Sequence, residues 1–252
     1  GGEACDGSDL AGISCVNFGS LTPAGLTCDQ GCRFDLSGCA SSCGNGVCEA
    51  GEPGVCPADC LLGPISAGDR HSCALKADGT AWCWGWNAAG QLGDGTTTDR
   101  ATPVQVQNLP SSVAIAAGSN FTCAIRDDRT LWCWGNNGSG QLGDGTTDDR
   151  DLPVQVVGLT DVVKVSVAAI SSGYHACAVT LNGSAWCWGK GQYGELGNGT
   201  TDSTSIPFQV PDITSAVDIA TGTKHSCAVQ ADGSVWCWGD GGPHLGNGGS
   251  ND

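Results

Sequence analysis

The sequence predicts an all-β array of stacked repeats, and three observations predict it. A hairpin-like segment is written four times, at 71–85, 121–135, 175–189 and 225–239. Its cysteines stand at 73, 123, 177 and 227 and again at 83, 133, 187 and 237, so the period is 50, 54 and 50 residues, as in a repeat architecture. The segment after each hairpin also repeats, as GQLGDGTT, GQLGDGTT, GELGNGTT and HLGNGGS.

Each copy reads as a hairpin because β-favouring residues run up to a turn signal and resume after it. Asp78-Gly79, Asn182-Gly183 and Asp232-Gly233 supply the positive φ that tight hairpin turns need. The second copy has Asp128-Arg129 instead, which predicts a looser turn. Alternation along a strand puts Trp82 and Trp84 on one face and Cys83 on the other. Cys73 and Cys83 lie nearly symmetric about the turn and so face each other across the strands. Four disulfides are expected: Cys73–Cys83, Cys123–Cys133, Cys177–Cys187 and Cys227–Cys237. Each is worth roughly 2–3 kcal/mol in the chain-entropy picture. Cysteines ten apart, without histidine neighbours in every copy, do not match a zinc pattern.

A single hairpin cannot bury both faces, so the copies must stack. Further strand-like pieces follow at 103–106, 153–157 and 207–210, then at 113–117, 162–166 and 217–220. That makes about four strands per repeat, as in a propeller blade. The expected fold is a partial or open β-propeller of four four-stranded repeats, at about 61–108, 109–158, 159–211 and 212–252. The run P-V-Q-V … V-x-x-I-A-x-G-x-x-H-x-C-A-V … G-x-x-W-C-W-G-x-x-x-x-G-Q-L-G-x-G resembles the repeat of the regulator of chromosome condensation family over about 63–252. That resemblance implies a β-propeller, usually of seven blades. The first copy opens at Ile65 without a full preceding strand, and the last lacks the Pro-x-x-Val strand. The array is thus expected to be incomplete at both ends, with strand edges open to a neighbouring subunit.

Composition sets the compartment. The 252 residues carry 41 Gly, 17 Cys, no Met and a net charge of −16. Disulfides at this density do not persist in a reducing cytosol, so the reading is a secreted, extracellular or cell-surface protein of bacterial type. No stretch approaches the length of a membrane span, and a leader is expected to have been removed. The acidic surface repels phosphate backbones, which argues against nucleic acid as a partner, and the nuclear roles of the family are not carried over.

Residues 1–60 form a different unit, with nine cysteines at 5, 15, 28, 32, 39, 43, 48, 56 and 60 and few apolar residues. So small a core depends on disulfide staples. The stretches ACDGSDLAGISC, LTCDQGCRFDLSGC and CGNGVCEAGEPGVCPADC resemble Cys-rich repeats of secreted myxobacterial proteins. The odd count fits a chain that starts inside a repeat, a free thiol or an intermolecular bridge. Asn45, Glu49, Glu52 and Asp59, oxygen donors held in a tiny Cys-rich loop, are candidate calcium ligands.

Little else points to chemistry. His71, His175 and His225 share a slot that accepts Phe121 in the second copy, so it reads as a packing position, and His244 reads as a surface variant. No Gly-x-Ser-x-Gly elbow, His-Glu-x-x-His or phosphate loop occurs, so an enzyme is not expected. The acidic loops around Asp94, Asp99, Asp144, Asp148, Asp149, Asn198 and Asp202 hold oxygen ligands, but turn closure is the stronger reading. The recurrent tryptophans read as packing. Trp86 breaks the series, since Asn136, Lys190 and Asp240 fill its slot elsewhere, and is the candidate contact residue. The sequence therefore predicts a secreted, non-enzymatic protein-binding or adhesion scaffold. The alternatives are a subunit of an extracellular filament or surface assembly, and a propeller-type inhibitor of a secreted hydrolase.

Overall fold

The computed structural model describes residues 64–169 and 174–246, together with two short antiparallel strands, β1 (Thr27–Cys28) and β2 (Phe34–Asp35). The chain divides into two compact units, Gly1–Leu62 and Gly63–Asp252. Asn45, Glu49, Glu52, Asp59 and the cysteine pairing of residues 1–60 lie outside the described residues, as does the inserted run 170–173.

The second unit is all β, in four antiparallel sheets, one per repeat. Blade 1 comprises β3 (Ile65–Ala67), β4 (His71–Leu75), β5 (Ala81–Gly85) and β6 (Arg100–Gln105). Blade 2 comprises β7 (Ser112–Ala117), β8 (Phe121–Arg126), β9 (Leu131–Gly135) and β10 (Arg150–Gln155). Blade 3 comprises β11 (Val162–Val167), β12 (His175–Thr180), β13 (Ala185–Gly189) and β14 (Thr204–Gln209). Blade 4 has three described strands, β15 (Ala216–Thr221), β16 (His225–Gln230) and β17 (Val235–Gly239). The first strands of successive blades pack on one another, which stacks the sheets in chain order.

Register puts the expected cysteines opposite each other in every hairpin, and all four disulfides form, with Cα atoms 4.1 Å apart. The outer strands begin at Arg100, Arg150 and Thr204, three residues earlier than the Pro-Val signal suggests. A bulge carries the ladder across to pair Gly85 with Arg100, and Gly135 with Arg150.

The second turn is a correction. It is as tight as the others: Arg126 N–H donates to Thr130 O at 2.9 Å and Arg129 N–H to Arg126 O at 3.0 Å, matching the bonds at 76–80. Arg129 takes the glycine position in the left-handed region, with φ 64° against 78° at Gly79.

Each joint between blades repeats one arrangement. The disulfide of one blade lies in the same apolar cluster as the second tryptophan of the next: Cys73–Cys83 with Trp134, Cys123–Cys133 with Trp188, Cys177–Cys187 with Trp238. Trp134 and Trp188 are wholly buried. Each indole N–H donates 2.9 Å to a backbone carbonyl of the preceding blade, that of Gln91, Gln141 or Glu195. Alternation along the strand thus works as a hinge pin, sulfur on one face and indole on the other.

Candidate protein-binding face

At the end of each hairpin away from its turn, the chain leaves the Trp-Cys-Trp-Gly strand and folds over the residue that entered it. Trp86 N–H donates to Arg70 O, Asn136 to Asn120, Lys190 to Tyr174 and Asp240 to Lys224, at 2.8–2.9 Å. The glycine before each is obligatory. Gly85 has φ 114°, and a Cβ there would stand 2.5 Å from Arg70 O. Repeated scaffolding therefore presents two side chains per blade on one face, and those side chains differ from blade to blade.

Blades 1, 3 and 4 carry aromatic and cationic residues there, with Asp240 opposite Lys224, whereas blade 2 carries two asparagines. Arg70 lies 5.5 Å from the ring centroid of Trp86, which is 40% exposed. Lys190 lies 5.9 Å from the Tyr174 ring and 5.8 Å from that of Tyr193, and Lys224 lies 4.2 Å from Tyr193. Lys224 also pairs with Asp240 at 3.7 Å. Both tyrosines of the chain and three of its ten Lys and Arg residues are thus gathered on this face. Trp, Tyr and Arg are the residues that dominate protein interfaces.

Trp86, the candidate contact residue of the sequence, is exposed on this face, and its presence has a cost. In blade 2 the Gln141 amide donates 2.5 Å to Asn136 Oδ1. Trp86 replaces that acceptor in blade 1, and the buried Gln91 Nε2 has no partner among the described residues. The Tyr174–Lys190–Tyr193–Lys224 group was not anticipated. Its signal in the sequence was there to read: the positions flanking each hairpin vary while the hairpin itself does not.

The acidic loops are built for closure. Asp94 accepts from Thr96 and from Asn87 Nδ2, and pairs with Arg100 at 2.6 Å; Asp144 does the same with Thr146, Asn137 and Arg150. Those donors hold the Asp94 and Asp144 carboxyls below their usual range, against the opposing effect of burial. Asp99 and Asp149 cap the N–H groups of Asn87 and Asn137. Asn198 accepts from Thr200, and Asp202 N–H donates to Thr200 Oγ1. Asp148 N–H likewise donates to Thr146 Oγ1. No group of three or more His, Cys, Asp or Glu among the described residues is arranged to hold a metal ion.

The histidine slot is more specific than packing. Thr122 gives its hydroxyl proton to Gln91 O at 2.9 Å, so His71 Nε2, 2.8 Å away, is the donor to Thr122 Oγ1. His175 donates likewise to Ser226 Oγ at 3.0 Å, and Ser226 to Glu195 O. Burial drives the pKa of both imidazoles down to about 4, so both are neutral. Phe121 at the middle joint falls in one apolar cluster with Ala176, which occupies the hydroxyl slot of its neighbour. His225 is half-exposed, its ring 4.8 Å from that of His244.

Comparison with known proteins fits this geometry. The profile of the regulator of chromosome condensation (RCC1) repeat matches at 78–125, 128–179 and 182–229. The human E3 ubiquitin-protein ligase HERC2 is 34% identical over 143 residues, which is 57% of this chain and 2% of that protein. Among solved structures, human WBSCR16 superposes with a TM-score of 0.61 at 22% identity, over 71% of this chain and 48% of that one. Yeast RCC1 (Prp20), solved bound to Kap60, gives 0.59 at 22% identity, over 70% and 43%. The chain thus spans about half the length of these propellers, and likeness at that identity speaks for the fold alone. With repeated hairpins, blade stacking and a profile matched across three repeats, the chain belongs to the regulator of chromosome condensation (RCC1) repeat family.

Proposed function

We propose that the protein is a secreted, non-enzymatic protein-binding scaffold whose partner docks on the face that carries Trp86, Tyr174 and Tyr193. One observation carries this reading. An exposed tryptophan occupies a position where asparagine would satisfy the buried Gln91 amide, and a residue that breaks a local rule belongs at a functional site. The photo-crosslinking amino acid benzoylphenylalanine, installed at 86 or 193 and irradiated in the native medium, tests it. Discrete protein adducts from both positions, absent when the probe replaces Asp78 at the turn end, support the reading. Equal adducts from both ends overturn it. Trp86→Asn separates folding from binding: it is expected to raise the melting temperature while lowering adduct yield from 193.

Secretion is supported by four buried or half-buried disulfides and a surface of net negative charge. Thiol titration of native material checks this; free thiols at the eight propeller cysteines would remove it. Calcium at Asn45, Glu49, Glu52 and Asp59 belongs to the same proposal. A chelator-dependent fall in melting temperature, reversed by calcium, is the expected result.

Assembly is the second reading, and a specific observation favours it. Within β17, Val235 and Trp236 are 64% and 51% exposed, and the Cys227–Cys237 pair is half-buried with no tryptophan of another blade on it among the described residues. Blade 1 offers the other half of a joint, since Trp84 is half-buried and its indole has no acceptor among the described residues. β17 is also an edge strand of its sheet among the described residues, as the strand-edge reading expects. Concentration-dependent association in sedimentation velocity, lost in Trp84→Ala, is expected under this reading; a monomer at every concentration rejects it.

A further inference from the structure

The turn ends of the blades, opposite the face of Trp86, carry a pattern of their own. In blade 1 the Lys76 ammonium lies 3.9 Å from the centroid of the Trp82 ring. In blade 2 the Arg126 guanidinium lies 5.8 Å from that of Trp132 and pairs with Asp128 at 2.8 Å. The indole N–H of each donates to a threonine hydroxyl, Thr80 or Thr130, at 3.1 and 3.0 Å. Two blades thus supply a cation to their own tryptophan.

Blade 3 does not. Thr180 stands where Lys76 and Arg126 stand, and its short side chain turns its hydroxyl to Asn182 Oδ1 at 2.8 Å. The Trp186 indole N–H has no partner among the described residues. The same blade gains a carboxylate nearby. Leu181 N–H donates to Asp161 O at 2.8 Å, the bond that Asp127 and Ala231 make to Ser111 and Ser215, so aspartate replaces serine at this one turn. Asp161 forms no ion pair among the described residues. Between these groups lies a cavity of about 350 Å³ lined by Asp161, Thr180, Leu181, Asn182 and Trp186. Blade 4 also lacks the cation, with Gln230 in that slot, but it keeps serine at 215, so the carboxylate at this turn position belongs to blade 3.

We propose that this cavity is a binding site for an organic ammonium group, which takes the place over Trp186 that Lys76 fills over Trp82. An aromatic face attracts such a cation through its quadrupole, and the Asp161 carboxylate adds charge at the rim. The group could be delivered by a free quaternary ammonium compound or by a lysine side chain of another protein; the chemistry is shared. The site stands on the opposite end of the blades from Trp86 and does not depend on the reading given for that face.

Indole resonances in ¹H–¹⁵N correlation spectra test it, with tetramethylammonium chloride replacing sodium chloride at constant ionic strength. N-acetyl-lysine amide serves as the second probe. The Trp186 signal is assigned by its loss in Trp186→Phe. It is expected to shift saturably, at concentrations at least threefold below those that move the exposed Trp86 and Trp236. Response to both probes, or to one, supports the site and identifies the source of the ammonium. Thr180→Lys copies blade 1 and is expected to abolish the shift, with the other indole signals unmoved. Asp161→Ser copies blades 2 and 4 and is expected to weaken binding at least threefold. No saturable shift with either probe, or unchanged shifts in both variants, overturns the proposal.

Discussion

The joint between blades 2 and 3 and the outer face of β16 and β17 are the same construction with and without a neighbouring blade among the described residues. At the joint, Trp188 is wholly buried on the Cys123–Cys133 disulfide and its indole is bonded to Gln141 O. On that outer face, the Cys227–Cys237 disulfide is half-buried with no tryptophan of another blade on it among the described residues. The two hairpins share the cysteines, both tryptophans and the closing glycine that build a joint. Burial, and hence stability, resides in the contact between copies rather than in any one of them, as expected of a stacked repeat.

The sharpest way to break this comparison is to remove the indole. Trp188→Ala deletes a fully buried aromatic and orphans Gln141 O, and is expected to cost about 4 kcal/mol. Trp84→Ala, at the half-buried equivalent in blade 1, is expected to cost about 1 kcal/mol. Chemical denaturation of the two variants checks the ratio, and equal losses would mean that the joints are not where the stability lies.

Disulfide removal comes next. Both Cys177–Cys187 and Cys227–Cys237 close a loop of sequence separation ten, worth about 3 kcal/mol in the denatured state. Paired Cys→Ser substitution adds a packing loss at the inner position only, where Trp238 rests on the bridge. The inner double variant is expected to lose about 1–2 kcal/mol more than the outer one, read as a larger fall in melting temperature.

These contrasts also show what the sequence could reveal. The four hairpins, their disulfides and the four-sheet array were legible because period, turn chemistry and cysteine spacing all pointed one way. Arg129 misled because propensity prefers glycine at positive φ, yet the bonds of the surrounding turn hold an arginine there. The histidine slot misled for a different reason. A position that accepts Phe121 looks like packing within one blade, but its meaning lies one repeat away. His71 meets Thr122, Phe121 meets Ala176 and His175 meets Ser226, a pairing visible only when adjacent copies are read together. Trp86 drew notice because it broke the series. Asp161 and Thr180 break theirs too, and went unnoticed because neither is conspicuous alone.

Acid should discriminate the joints. His175 is neutral in the folded state, with its pKa lowered to about 4 by burial, and takes up a proton near its ordinary value of 6.5 once unfolded. Its contribution is therefore fully present above pH 6.5 and is lost as the pH falls toward 4, on the order of 3 kcal/mol in all. His71 adds a dependence of the same sign, so His175→Phe with Ser226→Ala, which copies the middle joint, is expected to remove about half of the loss between those limits. His225→Phe, at the half-exposed face, is expected to change the profile much less. Melting temperatures across pH 7 to 4 would show the difference.

The smallest effect concerns the carbonyl that receives each indole. Gln91 and Gln141 cap the N–H groups of Ala89 and Ser139, whereas Glu195 caps that of Tyr193, at 2.6 Å, with a buried carboxyl. Burial raises its pKa, and the Tyr193 N–H and the nearby Lys190 charge only partly offset this. A carboxyl that titrates higher when folded favours the native state in its protonated form, so stability is lost as the pH rises from below the ordinary value of 4.5 through the folded one. Glu195→Gln keeps the acceptor and removes that dependence. It also adds an amide with no Asn136-like acceptor, since Lys190 holds that slot, so the net gain at pH 8 is expected to be only about 1 kcal/mol. The decisive quantity is the slope. The advantage of glutamine should grow from pH 4 to pH 8, and a difference that stays constant across that range would show that the third joint tolerates its carboxylate as readily as the others tolerate their amides.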